Sequence, residues 1–469
     1  MKQFVKWLIS GLAALVLAGL AALQLLAFFS GVTERQPGKN SAPPSFAGKI
    51  QTLKDFFKPP VRQPVSARFV QTFTPPVPRQ AVIPDTELTA AEQAVKQKLE
   101  ALLLSRAPTH RLVYDGGKTL TGRLVEEHPD YIVFAEKYGE SGEMSINLPR
   151  DRIVRLETCP VQQPVVSRRD VRFYMEIPGK HFYKSPPYTI LTEESFFAIE
   201  HIVKQQQELY AQFLEWFRPL ITVSGRRDDV QLLIISNAGE YSEYRNRYAG
   251  ELKGGSGFYN FGMDRMVVYH QRDADWVKEG QQQIAAVEKQ YQGKLHTEQA
   301  RQSFDQWKSN ARGRLLAQAS EATQSVIRHE GAHQLLYALG VQNPMQNGRN
   351  WLTEGLATFC ETGKAGQINP GRIEELKPAL AGGRLIPLNE LTALPRCESL
   401  LAYAEAWSLT YMLMQPEYRS GFFAYLDEVR RHPAAFAVDP VQELCRFIPL
   451  SPAELELRWR ARLAELVSR

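Results

Sequence analysis

Three residues in one short stretch, His329, Glu330 and His333, have the types and the spacing for metal-assisted hydrolysis. They stand in Val326-Ile-Arg-His329-Glu330-Gly-Ala-His333-Gln-Leu-Leu336, a helical context with Gly340 as its expected C-cap. Positions i and i+4 share a helix face, so both imidazoles can reach one ion about 2.0–2.1 Å away. Glu330 beside them is free to take a proton from water. A zinc ion (Zn2+) needs a third protein ligand and an open fourth position. Trp351-Leu-Thr-Glu354-Gly-Leu-Ala-Thr-Phe-Cys-Glu361 offers that ligand. A loop containing Pro344 and Gly348 reverses the chain, and a second helix follows with Thr353 as expected N-cap and Gly363 at its end. Glu354, in its first turn, then comes back toward His329 and His333. With nine histidines in 469 residues, His-Glu-x-x-His arises by chance in roughly one such chain in a hundred. A histidine pair on a helix is more often surface or core than ligand, and the helix behind the turn is what separates this pair from that background. His110, His128, His181, His201, His270, His296 and His432 have no such company and read as structural.

His-Glu-x-x-His followed by Trp-x-x-Glu-Gly-x-Ala resembles the gluzincin clan of zinc peptidases, which includes aminopeptidase N and thermolysin relatives. The stretch from about 170 to 430 resembles a bacterial domain-of-unknown-function family assigned to that clan. The resemblance implies His329, His333 and Glu354 as zinc ligands, Glu330 as general base, and a peptide or protein as substrate. The interval of 20 residues between His333 and Glu354 is slightly longer than in the aminopeptidase pattern. Ala402-Tyr403-Ala-Glu-Ala-Trp-Ser-Leu409 is similar to the segment that carries an oxyanion-stabilising tyrosine, which implies that role for Tyr403; a tyrosine packed on a helix is the rival. Glu361 matches a carboxylate that orients a ligand histidine, with a solvated surface glutamate as the rival. Clan members also place an antiparallel edge strand beside the metal, and Gly257 to Tyr259 or Met266 to Tyr269 is the candidate, glycines at 254, 255 and 257 allowing close approach. Gly262-Met263-Asp264 only faintly echoes the aminopeptidase segment that holds a free N-terminus, so endo- against exopeptidase action stays open.

The elements that must position these residues follow from patterning. Phe196, Ile199, Val203, Tyr210, Phe213 and Phe217 form the core-facing stripe of a long helix for which Thr192 is the expected cap, and Val230 to Ile235 reads as a buried strand. Residues 274–312, rich in Gln and charge, read as a helical insertion placed to lean over the site. Ser451-Pro-Ala-Glu454 is a capping box. Upstream, Thr89 opens an amphipathic helix to Ser105, and five short β-rich runs between 110 and 157 suggest a small Sm-like or SH3-like barrel.

Before that lie a Pro-rich spacer over 31–88 and, after Lys2 and Lys6, an apolar run from Trp7 to Phe29, long enough for a transmembrane anchor and longer than the usual core of a cleaved signal. The expected architecture is therefore α+β: anchor or signal (1–30), spacer (31–88), helix plus β module (89–160) and a zincin-like domain (170–469). Membrane attachment through the N-terminal helix would leave the catalytic domain outside the cytoplasm, periplasmic or extracellular, or secreted after cleavage. In such a compartment Cys360–Cys397 is the preferred disulfide among the four cysteines, since both flank the site. A net charge of +5 with scattered basic residues argues against nucleic acid as the partner. Oligomeric state is not legible. The reading that competes with a zinc peptidase is a catalytically silent zincin-fold module of the cell envelope, against which an intact Glu330 counts.

Overall fold

The structure, a computed structural model, describes residues 88–468 apart from 139–141, 222–228, 250–255, 272–273, 293–296, 344–348 and 433–438. The chain divides into two compact units: the described residues of Gln271–Ala322 form one, those of Val65–His270 and Thr323–Arg469 the other.

The larger unit opens with α1 (Ala90–Ser105), whose capping box pairs Thr89 with Glu92. Five strands follow: β1 (His110–Tyr114), β2 (Lys118–Glu127), β3 (Tyr131–Tyr138), β4 (Gly142–Pro149) and β5 (Ile153–Thr158). They form one antiparallel sheet in the order β4-β3-β2-β1-β5, around Leu112, Ile132, Phe134 and Leu148. The expected barrel is not closed. β4 and β5 are both edges, because the turn Arg150–Arg152 sends β5 across to β1 instead of back along β4. Arg152 holds that turn, its Nε donating to Asp115 Oδ1 at 2.9 Å.

α2 (Arg168–Glu176) leads to β6 (His181–Ser185), β7 (Tyr188–Thr192), α3 (Phe196–Phe217), β8 (Val230–Ile235), α4 (Ala238–Tyr248), β9 (Gly257–Asn260) and β10 (Arg265–Tyr269). The second sheet has the order β6-β7-β8-β10-β9; β8 runs parallel to both β7 and β10, and the outer pairs are antiparallel. β8, apolar except for Gln231 and buried at all six positions, suits a strand covered on both faces. Ile190, Leu232, Ile234, Met266 and Val268 point into a helical core, while Phe258 on the other face meets Tyr241 of α4 at a ring separation of 6.4 Å. All six positions of the α3 stripe are buried. Its cap is Ser195, not Thr192, which ends β7 and instead accepts from the Glu194 amide through Oγ1.

α5 (Asp275–Tyr291) and the start of α6 (Glu298–Ala338) make up the smaller unit. Tyr291 and Phe304 pack at 5.9 Å, and Lys308 Nζ binds Glu288 Oε1 at 2.9 Å. The unit covers the expected helical insertion at 274–312, and its second helix ends only at Ala338.

Seven helices follow among the described residues: α7 (Asn350–Phe359), α8 (Pro370–Ala381), α9 (Leu388–Ala393), α10 (Leu400–Leu413), α11 (Pro416–Arg431), α12 (Pro440–Cys445) and α13 (Pro452–Ser468). α7 begins at Asn350 with Arg349 before it, so Thr353 lies inside the helix, and Cys360 ends it before Gly363. Gly340 takes the left-handed conformation expected of a C-cap (φ 71°), and the Ser451–Glu454 capping box forms. Residues 351–359 and 402–413 are all buried, including Trp351 and Trp407. α7 and α10 cross at Gly355, where a Cβ would overlap Thr410 Oγ1 and lie 2.7 Å from the Ala406 carbonyl oxygen.

Two more expectations are corrected. No helix among the described residues is long and apolar enough to cross a membrane. The expected anchor and the Pro-rich spacer fall outside the described residues, save Leu88, so neither membrane attachment nor a catalytic domain outside the cytoplasm has support from the structure. All four cysteines are free thiols, so Cys360–Cys397 does not form. The Cys397 amide donates to Asn350 Oδ1 at one end of α7, whereas Cys360 stands at the other. A helix of ten residues separates its ends by about 15 Å, and a disulfide tolerates no more than about 7 Å between Cα atoms.

The crossing at Gly355 gives a direct test. Gly355→Ala places a methyl against backbone as well as side chain, and is expected to cost about 1–3 kcal/mol, read as a lower urea midpoint with an unchanged slope.

Candidate metal centre

The last turns of α6 carry His329, Glu330 and His333 into the core beneath the second sheet, and two small residues let them in. Gly331 faces Gln206 of α3, whose amide occupies the space a Cβ would need and donates from Nε2 to the Ile327 carbonyl at 2.8 Å. Gly257 of β9 faces Val326 Cγ1, and a Cβ there would lie 3.4 Å from Glu330 Cγ. The strand and the helix therefore meet at closer range than larger residues would permit.

α7, held against α10, brings Glu354 to the two histidines. His329 Nε2 stands 3.2 Å and His333 Nε2 3.5 Å from Glu354 Oε2, and the two nitrogens are 3.1 Å apart. Three ligands at about 2.0–2.1 Å around a tetrahedral ion stand about 3.3 Å from one another, so the triangle has the size a zinc ion requires. Glu354 Oε2 is buried and has no hydrogen-bond partner in the chain, although Glu354 is only 1% exposed. A buried carboxylate oxygen without a donor is costly, and an ion bound by the three atoms would satisfy it. This trio is the one group of three or more His, Cys, Asp or Glu side chains placed to hold a metal among the described residues. The residues present fit zinc.

The surroundings are strongly anionic for a core. Burial works against a charge on His329, yet the adjacent carboxylates of Glu354 and Glu361 outweigh it and raise the imidazole to about 10. Burial likewise opposes ionisation of Glu354 and Glu361. His333 and His329 overcome it for Glu354, and Arg372 and His329 for Glu361, so both are held down at about 2. A field that keeps a proton on a buried imidazole also suits a divalent cation.

Glu330 is on the same side of α6 without being part of the triangle. Its Oε2 accepts from the Tyr259 amide at 3.1 Å. Burial raises its carboxyl above the ordinary range, with the two histidines pulling the other way. β9, which supplies that amide, is the edge of the second sheet, so of the two candidate strands it is Gly257–Asn260 that borders the site, while β10 is interior. Tyr403 of α10 brings its ring within 6.1 Å of the His329 ring. Burial, then the nearby Glu354, pushes its hydroxyl well above the usual value, so it remains a donor at neutral pH.

Glu361 lies immediately beyond α7, and its Oε1 is 2.9 Å from His329 Nδ1. Such a bond fixes the tautomer that leaves Nε2 free to ligate. The Gly262-Met263-Asp264 segment, in contrast, forms the β9–β10 turn, where Asp264 accepts from the Tyr259 hydroxyl at 2.9 Å and from Arg169 Nη2 at 3.0 Å.

Sequence reasoning missed Gln206, Asn369 and Arg372. Asn369 Nδ2 donates to Glu361 Oε2 at 2.9 Å, and Arg372 grips the same carboxylate. Asn369-Pro370 could have been read as the start of a helix, but nothing in its spacing from His329 marks it as part of the site.

The raised His329 gives a pH prediction. Below about 10 that imidazole carries a proton, which a metal must displace. Apparent zinc affinity is expected to rise with pH between 5 and 9, by up to about tenfold per unit, as measured by chelator competition at each pH.

Residues 323–376 match a family described as a protein of unknown function (DUF1570), a segment that contains the three candidate ligands, Glu330 and Glu361. No curated protein matches the chain.

Proposed function

We propose that the protein is a zinc-dependent peptidase of the gluzincin type. The observation that carries the reading is the convergence of His329 Nε2, His333 Nε2 and Glu354 Oε2 at 3.1, 3.2 and 3.5 Å, with a buried carboxylate, Glu330, beside them and outside the ligand set. A silent binding fold has no use for that fourth group.

A zinc ion held by the three ligands would supply Lewis acidity, making water acidic enough to react near neutral pH and polarising a carbonyl. The chain's own groups supply the rest. Glu330, with its carboxyl raised by burial, accepts a proton from water as that water attacks the scissile carbonyl, and returns it to the leaving amine. The Tyr259 amide holds the Glu330 carboxylate at 3.1 Å and so sets the side from which the proton is taken. Tyr403 keeps its phenolic proton and donates a hydrogen bond to the oxyanion, whose charge develops only as the tetrahedral state forms. Glu361 holds the His329 ring in one orientation throughout. The outer edge of β9 offers backbone groups with which an extended peptide can pair. Asp264 is already engaged by Tyr259 and Arg169, which favours internal bonds over recognition of a free N-terminus.

Two variants test the reading. The wild type is expected to bind about one zinc per chain and to cleave members of a quenched-fluorescence peptide library. Glu354→Ala should lose the metal. Glu330→Gln should keep it and lose hydrolysis by roughly 10²–10⁴-fold. A wild type that binds no zinc, or a Glu330→Gln protein as active as wild type, would sink the proposal.

A further inference from the structure

We infer that Arg372 is a positioning residue for the metal centre, acting on His329 through Glu361; the inference rests on the proposed metal site. Arg372 lies in the first turn of α8, which packs beside α10, and its guanidinium reaches back to Glu361, two residues past the end of α7. Nη2 donates to Glu361 Oε1 at 2.6 Å and Nε donates to Glu361 Oε2 at 3.2 Å, so both carboxylate oxygens are gripped by one fork. Nη1 is taken by Glu375 Oε2 at 2.9 Å, which ties the fork to its own helix. The Tyr403 ring lies 5.5 Å from the guanidinium carbon and closes the remaining side.

A carboxylate bound only to an imidazole can rotate about its last bond and still keep that one contact. Glu361 cannot. Its Oε1 meets His329 Nδ1 at 2.9 Å while accepting from Arg372, and its Oε2 accepts from Asn369 Nδ2 at 2.9 Å while accepting from the other arm of the same fork. Rotation would break all of these bonds, so the plane of the carboxylate is set by the plane of the guanidinium. The orientation of the His329 ring, and with it the direction of Nε2 toward His333 and Glu354, is inherited from α8. A point charge at the same place would neutralise Glu361 without fixing its plane, which makes the arginine fork, and not simply a cation, the functional requirement.

The rival explanation is that Arg372 merely offsets a buried negative charge and joins α8 to α7. The two predict different behaviour of the metal, which can be read without any substrate. Full-length wild type, Arg372→Lys and Arg372→Met are compared for zinc affinity by chelator competition, for the visible spectrum of the Co2+-loaded protein, and for thermal midpoint in excess chelator. Positioning predicts that Arg372→Lys, which keeps the charge, binds zinc about 10–100-fold more weakly and shifts the Co2+ d–d bands. The thermal midpoint in chelator should then fall less for Lys than for Met. Wild-type zinc affinity and an unchanged Co2+ spectrum in Arg372→Lys would overturn the inference, whatever happens to stability. Should Arg372→Met fail to fold, the Lys variant decides alone. Failure of the metal site itself would appear differently, as absence of zinc from the wild type.

Discussion

Glu354 lies between His329 and His333, with Glu330 and Glu361 buried close by. Ions taken out of water cost several kcal/mol each unless they are paired and hydrogen-bonded. Most of the architecture near the site can be understood as the means of meeting that cost. Glu361 is met by Arg372, Asn369 and His329; Glu330 by a backbone amide of β9. Glu354 Oε2 alone has no hydrogen-bond donor, and that residual acceptor is where the proposed ion would sit. The distribution of partners is thus itself informative: each carboxylate that is not a candidate ligand has been given a donor by the fold, and the one that is has not.

Holding such a cluster requires a rigid wall. α7 and α10 are buried from Trp351 to Phe359 and from Ala402 to Leu413, and Trp351, Trp407 and Trp459 are among the largest fully buried side chains. Truncating a residue of that kind typically costs about 3–5 kcal/mol, so the ligand helix has little freedom to drift. Close approach is obtained with glycine at three places, Gly257 against Val326, Gly331 against Gln206, and Gly355 against Thr410 and the Ala406 carbonyl. They lie beside or between the residues of the site, so the sequence around the candidate metal ligands is shaped as much by helix spacing as by chemistry. Polar side chains finish the arrangement: Gln206 enters against Gly331, and Asn350 fixes the approach to α10 through the Cys397 amide.

Much of this was legible one residue at a time. Local rules depend on neighbours within about four residues, so capping at Thr89 and Ser451, the left-handed Gly340, the α3 stripe and the five short strands could all be read directly. The same rules misplaced the caps at Thr192 and Thr353, because a threonine before an apolar run looks alike whether it ends a strand, starts a helix or lies within one. Alternation of short strands likewise does not say whether the first and last will meet. The open sheet is decided by the course of the chain after β4, through a turn held by Arg152 and Asp115 from 37 residues away.

For the site, the i, i+4 spacing of His329 and His333 and the Glu-Gly-x-Ala helix after them were sufficient from the sequence to name the three candidate ligands and the base, since helix geometry converts spacing into a shared face. The identity of the neighbours was not contained in any such spacing. That Arg372 and Asn369 clamp Glu361, that Tyr259 offers its amide to Glu330, and that Cys360 and Cys397 stand at opposite ends of α7 depend on how helices pack across separations of 8 to 71 residues. Sequence determined which side chains could do the chemistry, because that follows from local periodicity. Only the tertiary structure decided which of them are oriented and by what, because orientation is set by contacts between elements that no local pattern encodes.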